Sequence, residues 1–405
     1  MSVEKGALSV NYRSFYPKNV KVALENEPPG SWMPVLPMEC IRLSSGYPAP
    51  SLVPANQMKE AVDSLIREEG DLPFHYLGSS RMASLQNLIQ KRLNQRSISV
   101  QKGELLITSG ACQAIDLIAR TFLDDEAFVI VESPTYMEAL EMFKNYTGNI
   151  IDIPIDEQGL DTSRLEDVLK KRKRDGLPIP RFVYTIPTFH NPTGTTMPME
   201  RRQHLLKLAQ TYDFLIVEDD AYGELSFLES VTPLKAIDTA GRVLYVGSLS
   251  KVVAPGMRIG WIAGNEELIS AFAWFKKDLD HPFAQATMAV FLEKVNLEER
   301  IILLRDSYQM RRDTMIRALE HNLPESVTWY TPEGGFFVWV KVPGVDTSCL
   351  LDEALAQGVS YVPGKYFFYN QEDGAEYLRF SFSYVDEEQM VEGIEKIGQL
   401  LNAYF

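Results

Sequence analysis

Short apolar runs that end in a polar turn and lead into a helical pattern recur along the middle of the chain. They occupy residues 127–131, 181–187, 214–217 and 244–246, and a similar run begins at Leu105 and ends at Ser109 and Gly110. In the helical stretches, apolar residues return at intervals of three and four. This alternation of strand and helix predicts an α/β fold with a mostly parallel sheet flanked by helices.

The polar residues that follow these runs are expected to lie at one edge of the sheet. In such sheets, ligands bind beyond the carboxyl ends of the strands. A helix that starts directly after such a turn also points its free N–H groups at the turn, where they bind anions. The residues placed there are Ser109, Tyr136, Asn191, Asp219, Tyr222 and Lys251. Their coincidence predicts a ligand site at this edge.

Residues 247–261, GSLSKVVAPGMRIGW, contain the most unusual of these groups. Lys251 stands between two apolar runs, where an ammonium must find a partner or lose its proton. A neutral lysine is a good nucleophile for aldehydes, and Ser248, Ser250 and Arg258 are suitable ligands for a phosphate. An amine beside a phosphate site suggests pyridoxal phosphate. The alternative is a surface lysine in a loop of serine and glycine.

Charge and composition limit the remaining classes of function. The formal net charge of the 405 residues is −15, which disfavours a nucleic-acid partner. The three cysteines lie far apart, as in proteins of a reducing compartment, and the five histidines show no metal-ligand spacing, so no metal is expected. We find no apolar run of membrane-spanning length and no signal peptide. A cytoplasmic protein that does not bind membranes is therefore expected.

The pattern changes after residue 291. A long helix is predicted from Leu297 to about Asn322, and separate strands with alternating apolar residues follow it. Strands and helices without tight alternation indicate a smaller α+β domain. We therefore predict an N-terminal arm and part of the small domain in residues 1–45, a large domain in 46–291 and a small C-terminal domain in 292–405.

Six motifs occur in one order over nearly the whole chain: TSGACQAI, ESPTY, HNPTG, VEDDAYGEL, SLSK followed by APGMRIGW, and LRFSFSY. In these motifs the chain resembles pyridoxal-phosphate-dependent aminotransferases of fold type I, class I/II. It is most similar to the 2-aminoadipate type and to the aminotransferase-like half of MocR regulators. The resemblance implies a sheet of the seven-stranded type, a homodimer and the cofactor pyridoxal 5′-phosphate.

The resemblance also implies catalytic roles for three side chains. Lys251 would form a Schiff base with the cofactor and then move the proton at the substrate Cα. Asp219 would pair with the pyridine nitrogen, and Tyr222 would bond the ring hydroxyl. Taken alone, Asp219 also suits a helix N-cap, and Asp220 is the alternative functional acid.

Other cofactor contacts are implied by the same motifs. Asn191 would bond the ring hydroxyl, Tyr136 would stack on the ring, and Tyr76 would reach the phosphate of the neighbouring subunit. The phosphate itself would bind the N–H groups of Gly110, Ala111 and Cys112 and the side chains of Ser248, Ser250 and Arg258. Family members usually carry hydroxyl or amide side chains at positions 111 and 112. Without them, the cofactor loses one or two hydrogen bonds of about 1 kcal/mol each, so a weaker grip is predicted.

The implied reaction moves an amino group between an α-amino acid and a 2-oxo acid. Arg379 would hold the substrate α-carboxylate, because a guanidinium suits a planar carboxylate, and Asn191 and Gly46 would also contact the substrate. The side chain is expected to be apolar, aromatic or like that of 2-aminoadipate. β-Lyases, racemases and cyclising enzymes share these motifs and remain alternatives, as does a non-catalytic sensor module.

Overall fold

The computed structural model describes residues 10–28, 30, 32, 35–76, 78–277 and 281–405, so the predicted N-terminal arm lies partly outside the described residues. Numbered along the chain, the helices are α1 (Lys18–Ala23), α2 (Ala55–Glu69), α3 (Arg81–Gln95), α4 (Ala111–Phe122), α5 (Met137–Lys144), α6 (Thr162–Arg174), α7 (Met199–Tyr212), α8 (Leu234–Ile237), α9 (Glu266–Lys276), α10 (Pro282–Lys294), α11 (Leu297–Asn322), α12 (Thr347–Ala356) and α13 (Glu387–Leu401). The strands are β1 (Ile41–Arg42), β2 (Leu105–Thr108), β3 (Val129–Ser133), β4 (Ile150–Asp156), β5 (Gly159–Leu160), β6 (Phe182–Thr185), β7 (Leu215–Asp219), β8 (Val243–Ser248), β9 (Gly260–Ala263), β10 (Thr328–Trp329), β11 (Phe337–Lys341), β12 (Val359–Ser360), β13 (Val362–Pro363) and β14 (Tyr377–Ser381).

The large sheet has the strand order β2-β9-β8-β7-β6-β3-β4-β5. Strands β8, β7, β6, β3 and β4 run parallel to one another, whereas β9 is antiparallel to both of its neighbours, β2 and β8. At the edge, β5 adds a two-residue antiparallel pairing to β4. The other seven strands form a mostly parallel sheet, which confirms the α/β architecture predicted from the sequence.

Both faces of this sheet are covered, because successive side chains of a strand point to opposite faces. In β6, Phe182 and Tyr184 belong to the hydrophobic cluster formed with α4, α5 and α9. Between them, Val183 belongs to the cluster formed with α6 and α7 on the other face. Burial on both faces explains why the strands appear in the sequence as almost continuous apolar runs.

A second, antiparallel sheet has the order β10-β11-β14-β13. Its strands share a hydrophobic core with α11 and α13, which pack against each other. The segment before Gly46 joins this part of the molecule through β1, which pairs in parallel with β12 at Ile41 and Val359. These contacts support our proposal that residues 292–405, together with the end of the first segment, form a smaller α+β domain.

The helix predicted after residue 291 is α11, and its bounds agree with those read from the sequence. The side chain of Asn296 caps it by accepting hydrogen bonds from the backbone N–H groups of Glu298 and Glu299. Although its 26 residues would be long enough to cross a bilayer, it carries charged residues throughout. None of the helices in the described ranges combines the length and the apolar character of a membrane span.

Four strand ends differ from the predicted ones, and one of them is that of β8, which ends at Ser248, two residues beyond the predicted run 244–246. β3 and β7 each run two residues further, so Glu132 and Glu218 are buried in the sheet instead of lying in turns. Glu132 accepts hydrogen bonds from the Thr185 hydroxyl and the Ile186 N–H, and Glu218 accepts them from the start of α8. β6 ends earlier, at Thr185, because the Ile186 N–H donates to the Glu132 carboxylate and Pro187 has no N–H to pair with a neighbouring strand. Polar residues do not end a strand when the fold supplies donors for them.

Arg202 in α7 is a fully buried arginine that ties this helix to the loop after β6. Its Nε donates to the carbonyl of Met197 at 2.8 Å. Its Nη2 donates to the carbonyl of Pro187 at 2.7 Å and to the hydroxyl of Thr188 at 2.8 Å. A planar guanidinium with five donors is suited to such a set of acceptors. The loop that it holds is the one that carries Asn191.

Replacing Arg202 with methionine is expected to lower the free energy of unfolding by about 3 kcal/mol, because several buried acceptors lose their donor. Lys207→Met removes the same charge from the exposed side of the same helix and should change that free energy by less than about 0.5 kcal/mol. Urea unfolding followed by circular dichroism measures both. Equal effects of the two substitutions would contradict a stabilising role for the hydrogen bonds of Arg202.

Candidate active site

A cavity of about 480 Å³ lies between the large sheet and the second sheet. It is lined by the ends of strands of the large sheet, by the first residues of α4 and α5, by the segment 42–47 and by side chains of β11 and β14. The residues of the lining that were predicted from the sequence are Gly46, Ala111, Cys112, Tyr136, Asn191, Asp219, Tyr222, Ser248, Ser250, Lys251, Arg258 and Arg379.

The topology of the sheet brings these residues together. Because β9 is antiparallel to both β2 and β8, β2 has the same direction as the parallel strands β8, β7, β6 and β3. Their carboxyl ends therefore share one edge, as the sequence predicted. The amino end of β9 lies at the same edge and brings Arg258, which precedes it.

Three predicted residues lie outside the lining. Ser109 ends the turn after β2, and Gly110 follows it as the N-cap residue of α4, directly before Ala111 of the lining. The side chain of Tyr76 is 89% exposed and does not reach the cavity of its own chain. Its role at the phosphate of a neighbouring subunit therefore stays a prediction.

The amine of Lys251 is held within the cavity by few polar contacts. Its Nζ donates to the carbonyl of Gly46 at 2.9 Å and lies 5.5 Å and 5.8 Å from the ring centres of Tyr222 and Phe336. Burial, and after it the positive charge of Arg379, lower the pKa of Lys251 from 10.5 to about 8. A lysine with such a pKa is available near neutral pH as an amine nucleophile and as a base.

Asp219, the last residue of β7, presents one carboxylate oxygen to the cavity. The hydroxyl of Tyr184 donates to Oδ2 at 2.7 Å. Oδ1 is buried and has no hydrogen-bond partner among the residues that the structure describes. Burial raises the pKa of Asp219 to about 6. This oxygen is suited to accept a hydrogen bond from a positively charged N–H group of a ligand.

The neighbouring acid, Asp220, has different partners. Its Oδ2 accepts hydrogen bonds from the guanidinium of Arg96 and, at 2.8 Å, from the hydroxyl of Tyr245. It is not part of the cavity lining. The geometry thus distinguishes the two acids that the sequence left as alternatives. Asp219 faces the cavity, whereas Asp220 forms an ion pair with Arg96.

The start of α4 is arranged to bind an anion. Gly110 adopts a φ of 86°, which favours glycine, and a Cβ there would lie 2.6 Å from Nη2 of Arg258. Ser248 and Ser250 stand beside it with their hydroxyl oxygens 2.9 Å apart. Free helix N–H groups, a guanidinium and two hydroxyls together match the oxygens of a phosphate.

Arg379 reaches the cavity from β14, which is an inner strand of the second sheet. Its side chain is buried, with Nη1 donating to Oδ1 of Asn191 at 2.8 Å and Nη2 to the carbonyl of Ser44 at 3.1 Å. It also lies 4.0 Å from the ring centre of Phe337, and burial lowers its pKa to about 10. Its Nε has no partner among the described residues. A buried guanidinium without a carboxylate partner is suited to a carboxylate of the ligand.

Aromatic rings and one glycine shape the rest of the cavity. Tyr222 is buried with its ring edge-to-face to that of Phe337, and their centres are 5.6 Å apart. Tyr136 caps the start of α5 and is half-buried in the lining. A Cβ on Gly46 would lie 2.9 Å from Cζ of Phe337. The close approach of this ring explains why a glycine occupies position 46.

Tyr184 and Glu138 are among the residues of the site that were not predicted from the sequence. Tyr184, which orients Asp219, lies within an apolar strand, where nothing in the pattern marks its hydroxyl as important. Glu138 lines the cavity and accepts hydrogen bonds from Tyr136 and Cys112. A signal for it was present, since it directly follows the ESPTYM stretch, but an acidic residue in a first helical turn is ordinary.

Comparison with known proteins shows similarity over nearly the whole chain. The family described as "Aminotransferase class I and II" matches residues 39–397. Aromatic-amino-acid aminotransferase 1 of Thermococcus litoralis is 39% identical over 369 residues, which are 90% of this chain and 88% of that protein.

Two solved structures have the same fold as this chain. The structure of Pyrococcus horikoshii kynurenine aminotransferase in complex with PMP has a TM-score of 0.89 and 36% identity, and the match covers 98% of each chain. That of LysN, the α-aminoadipate aminotransferase from Thermus thermophilus, complexed with N-(5′-phosphopyridoxyl)-L-leucine, has a TM-score of 0.87 and 31% identity. This second match covers 97% of this chain and 99% of LysN.

Replacing each of the two adjacent acids with asparagine is expected to change stability in opposite directions. The pKa of Asp219 is raised from 3.8 to about 6 in the folded state, so stability is lost as the pH rises from 3.8 to about 6, and the loss is complete above that range. At pH 8, Asp219→Asn should therefore raise the free energy of unfolding of the ligand-free protein by about 1–3 kcal/mol, and at pH 5 by less.

Asp220→Asn should lower the free energy of unfolding by about 3–5 kcal/mol, because Arg96 loses its carboxylate partner. Urea unfolding at both pH values tests this, and a loss of stability in both variants at pH 8 would contradict it.

The lowered pKa of Lys251 has its own test. Reductive methylation with formaldehyde and cyanoborohydride requires a neutral amine, and mass spectrometry of the digested protein follows it at this residue. In the folded, ligand-free protein we expect the rate to be half-maximal at a pH of about 8, whereas in urea it should follow the ordinary pKa of 10.5. Identical pH profiles in the two states would show that burial does not change the basicity of the amine.

Proposed function

Because this chain belongs to the class I and II aminotransferases, we propose that it binds pyridoxal 5′-phosphate in the cavity and transfers an amino group there through Lys251, Asp219 and Arg379. The observation that carries this proposal is the combination of three groups in one cavity. They are an amine with a lowered pKa and two groups that lack partners among the described residues: a carboxylate oxygen with no hydrogen bond and a buried guanidinium with no carboxylate beside it.

The residues present fit this cofactor. The start of α4 with Ser248, Ser250 and Arg258 would hold its phosphate. The oxygen Oδ1 of Asp219, buried and without a partner among the described residues, would accept the N–H of the pyridine ring. Asn191, Tyr222 and Tyr136 line the same cavity and would contact the ring.

We also propose that this chain binds the phosphate of the cofactor more weakly than family members that carry hydroxyl or amide side chains at positions 111 and 112. The side chain of Ala111 has no polar atom, and the thiol of Cys112 donates to Oε2 of Glu138 at 3.3 Å. This thiol is therefore directed at a carboxylate and not offered to a phosphate. At these two positions only backbone N–H groups would serve the phosphate.

Each of the three main residues has a distinct chemical task. Pyridoxal phosphate, when bound, supplies an aldehyde that combines with amines and a ring that takes up the electron pair released when the Cα–H bond breaks. Lys251 accepts the Cα proton and returns it, which its pKa near 8 permits at physiological pH. Asp219 stabilises positive charge on the ring nitrogen, and Arg379 orients the amino acid by its α-carboxylate.

We further propose that the protein is a homodimer located in the cytoplasm. Leu72, Phe74 and Tyr76 form a cluster of apolar side chains that are 44%, 64% and 89% exposed in the single chain. Covering such a cluster with a second copy would remove apolar surface from water. The same contact would bring Tyr76 towards the partner, as the resemblance implies. The widely spaced cysteines support a reducing compartment.

The proposal is tested by labelling and by a half-reaction. After addition of pyridoxal phosphate and reduction with borohydride, mass spectrometry should find the phosphopyridoxyl group on Lys251. Without a reducing agent, each molecule of bound pyridoxal phosphate should convert one molecule of a suitable amino acid into one molecule of 2-oxo acid. Addition of a second 2-oxo acid should then allow continuous turnover. Lys251→Ala should abolish the label and reduce the rate by at least about 10²–10⁴-fold.

The matched control is Lys207→Ala, on the exposed side of α7, which should retain both the label and the rate. A label on another lysine would contradict the assignment of Lys251. Exchange of the Cα hydrogen or elimination from the side chain, without formation of a 2-oxo acid, would instead indicate a racemase or a β-lyase.

A further inference from the structure

A carboxylate that the proposed reaction does not use lies beside the proposed phosphate site. Of the acidic residues described, only Asp219 and Glu138 line the cavity. Glu138 is in the first turn of α5, and its side chain is half-buried. Its Oε2 accepts a hydrogen bond from the hydroxyl of Tyr136 at 2.5 Å and one from the thiol of Cys112 at 3.3 Å. Because Cys112 is the second residue of α4, the carboxylate is fixed at the start of that helix.

The start of α4 is also where the phosphate would bind. The N–H groups of Ala111 and Cys112 belong to the first turn, in which a helix has no carbonyl of its own to accept from them. The thiol that donates to Glu138 and one of these N–H groups belong to the same residue, Cys112. A phosphate bound at this N–H would therefore lie close to the carboxylate, and the two negative charges would repel each other.

The negative charge of Glu138 is not neutralised by its hydrogen-bond donors. Burial raises the pKa of the Tyr136 hydroxyl well above its ordinary value and that of the Cys112 thiol to about 11, so both donors are uncharged at physiological pH. Among the described residues, no lysine, arginine or histidine forms an ion pair with Glu138. The two hydrogen bonds thus hold the carboxylate in place without cancelling its charge.

Arg258 is the cation of the phosphate site, and Glu138 acts against it. The thiol of Cys112 lies within reach of both charges: after burial, the charge of Glu138 raises the pKa of this thiol, whereas that of Arg258 lowers it. One anion and one cation therefore act at the start of α4. A phosphate is attracted less strongly by this pair than by the guanidinium alone.

Arg42 is a further cation of the lining, but it belongs to a different part of it. It lies in β1, two residues before Ser44, whose carbonyl accepts a hydrogen bond from Arg379 at 3.1 Å. This segment joins the C-terminal part of the molecule, whereas Glu138 belongs to a helix of the large sheet. In the part of the chain that the structure describes, no ion pair connects Arg42 with Glu138. Arg42 is therefore not the partner of the carboxylate at the start of α4.

We propose that Glu138 weakens the binding of the cofactor phosphate by electrostatic repulsion, so that the protein is only partly loaded when free cofactor is scarce. The inference rests on the proposed function, because it requires the phosphate to lie at the start of α4. The thiol of Cys112 does not compensate for the repulsion, since it donates to Glu138 itself. The loaded fraction then follows the concentration of free cofactor by mass action.

Pyridoxamine 5′-phosphate and pyridoxamine are the probes for the test, because they differ only in the phosphate and, as amines, form no Schiff base with Lys251. Calorimetry on the cofactor-free protein gives both dissociation constants, and that of pyridoxamine divided by that of its phosphate measures what the phosphate contributes. In Glu138→Gln, which keeps an acceptor for Tyr136 and Cys112, this ratio should rise by about tenfold or more over the wild-type value. An unchanged ratio would overturn the inference, even if both probes bound more tightly.

Glu141→Gln is the matched control, because it removes the same charge from the same helix at a residue outside the cavity lining. Its ratio should stay within about twofold of the wild-type value. If the two variants raise the ratio equally, the position of Glu138 at the start of α4 is not what weakens the binding of the phosphate.

Labelling of Lys251 shows the effect on loading and separates this inference from the proposed function. At a limiting concentration of pyridoxal phosphate, borohydride should label a larger fraction of Lys251 in Glu138→Gln than in the wild-type protein, and equal fractions would overturn the effect on loading. A higher ratio of dissociation constants in this variant, together with no label on Lys251 in either protein, would instead refute the proposed function alone.

Discussion

Three adjacent carboxylates are buried at the end of β7, and the rest of the site depends on how each of them is compensated. Glu218 accepts backbone N–H groups at the start of α8, and Asp220 is paired with Arg96 and Tyr245. Asp219, between them, accepts a hydrogen bond from the hydroxyl of Tyr184 on Oδ2, while its Oδ1 has no partner among the described residues. An ionised group in the interior requires partners. Oδ1 of Asp220 also lacks a partner among the described residues, but Asp220 lies outside the cavity lining. Asp219 is therefore the acid of the three whose hydrogen bonding a ligand in the cavity can complete.

The same principle distinguishes the two arginines that are most deeply buried near the site. Arg202 is satisfied by carbonyl and hydroxyl oxygens of the protein and acts as a structural tie. Arg379 makes two hydrogen bonds and keeps one buried N–H without a partner among the described residues. Function in this cavity is therefore associated with groups whose hydrogen bonding the protein itself leaves incomplete.

Much of this could be predicted from the sequence, because it depends on local patterns. The alternation of apolar runs and helices indicated the α/β sheet, and the direction of parallel strands indicated that Asn191, Asp219 and Lys251 meet at one edge. The true ends of β3 and β7 were not predictable, since the donors that let Glu132 and Glu218 stay in a strand come from other parts of the chain.

Local patterns also failed where the decisive partner is distant in sequence. Asp219 and Asp220 look alike in the sequence, and partners from distant parts of the chain separate them. Arg96, directly after α3, and Tyr245 of β8 bind Asp220, whereas Tyr184 of β6 binds Asp219. Likewise, nothing in the spacing showed that β14 is an inner strand, which is what buries Arg379. Glu138 resembles any acidic residue of a first helical turn until Tyr136 and Cys112 are seen to bind it.

The hydrogen bond from Lys251 to the carbonyl of Gly46 makes the amine part of the mechanical connection between the two sheets. Lys251 follows β8 of the large sheet, whereas Gly46 continues from β1, which pairs with β12 of the C-terminal part. A covalent bond formed by this nitrogen changes its ability to donate that hydrogen bond, and with it one contact between the two parts of the molecule. The covalent state of Lys251 therefore affects how strongly the segment at Gly46 is held against the large sheet.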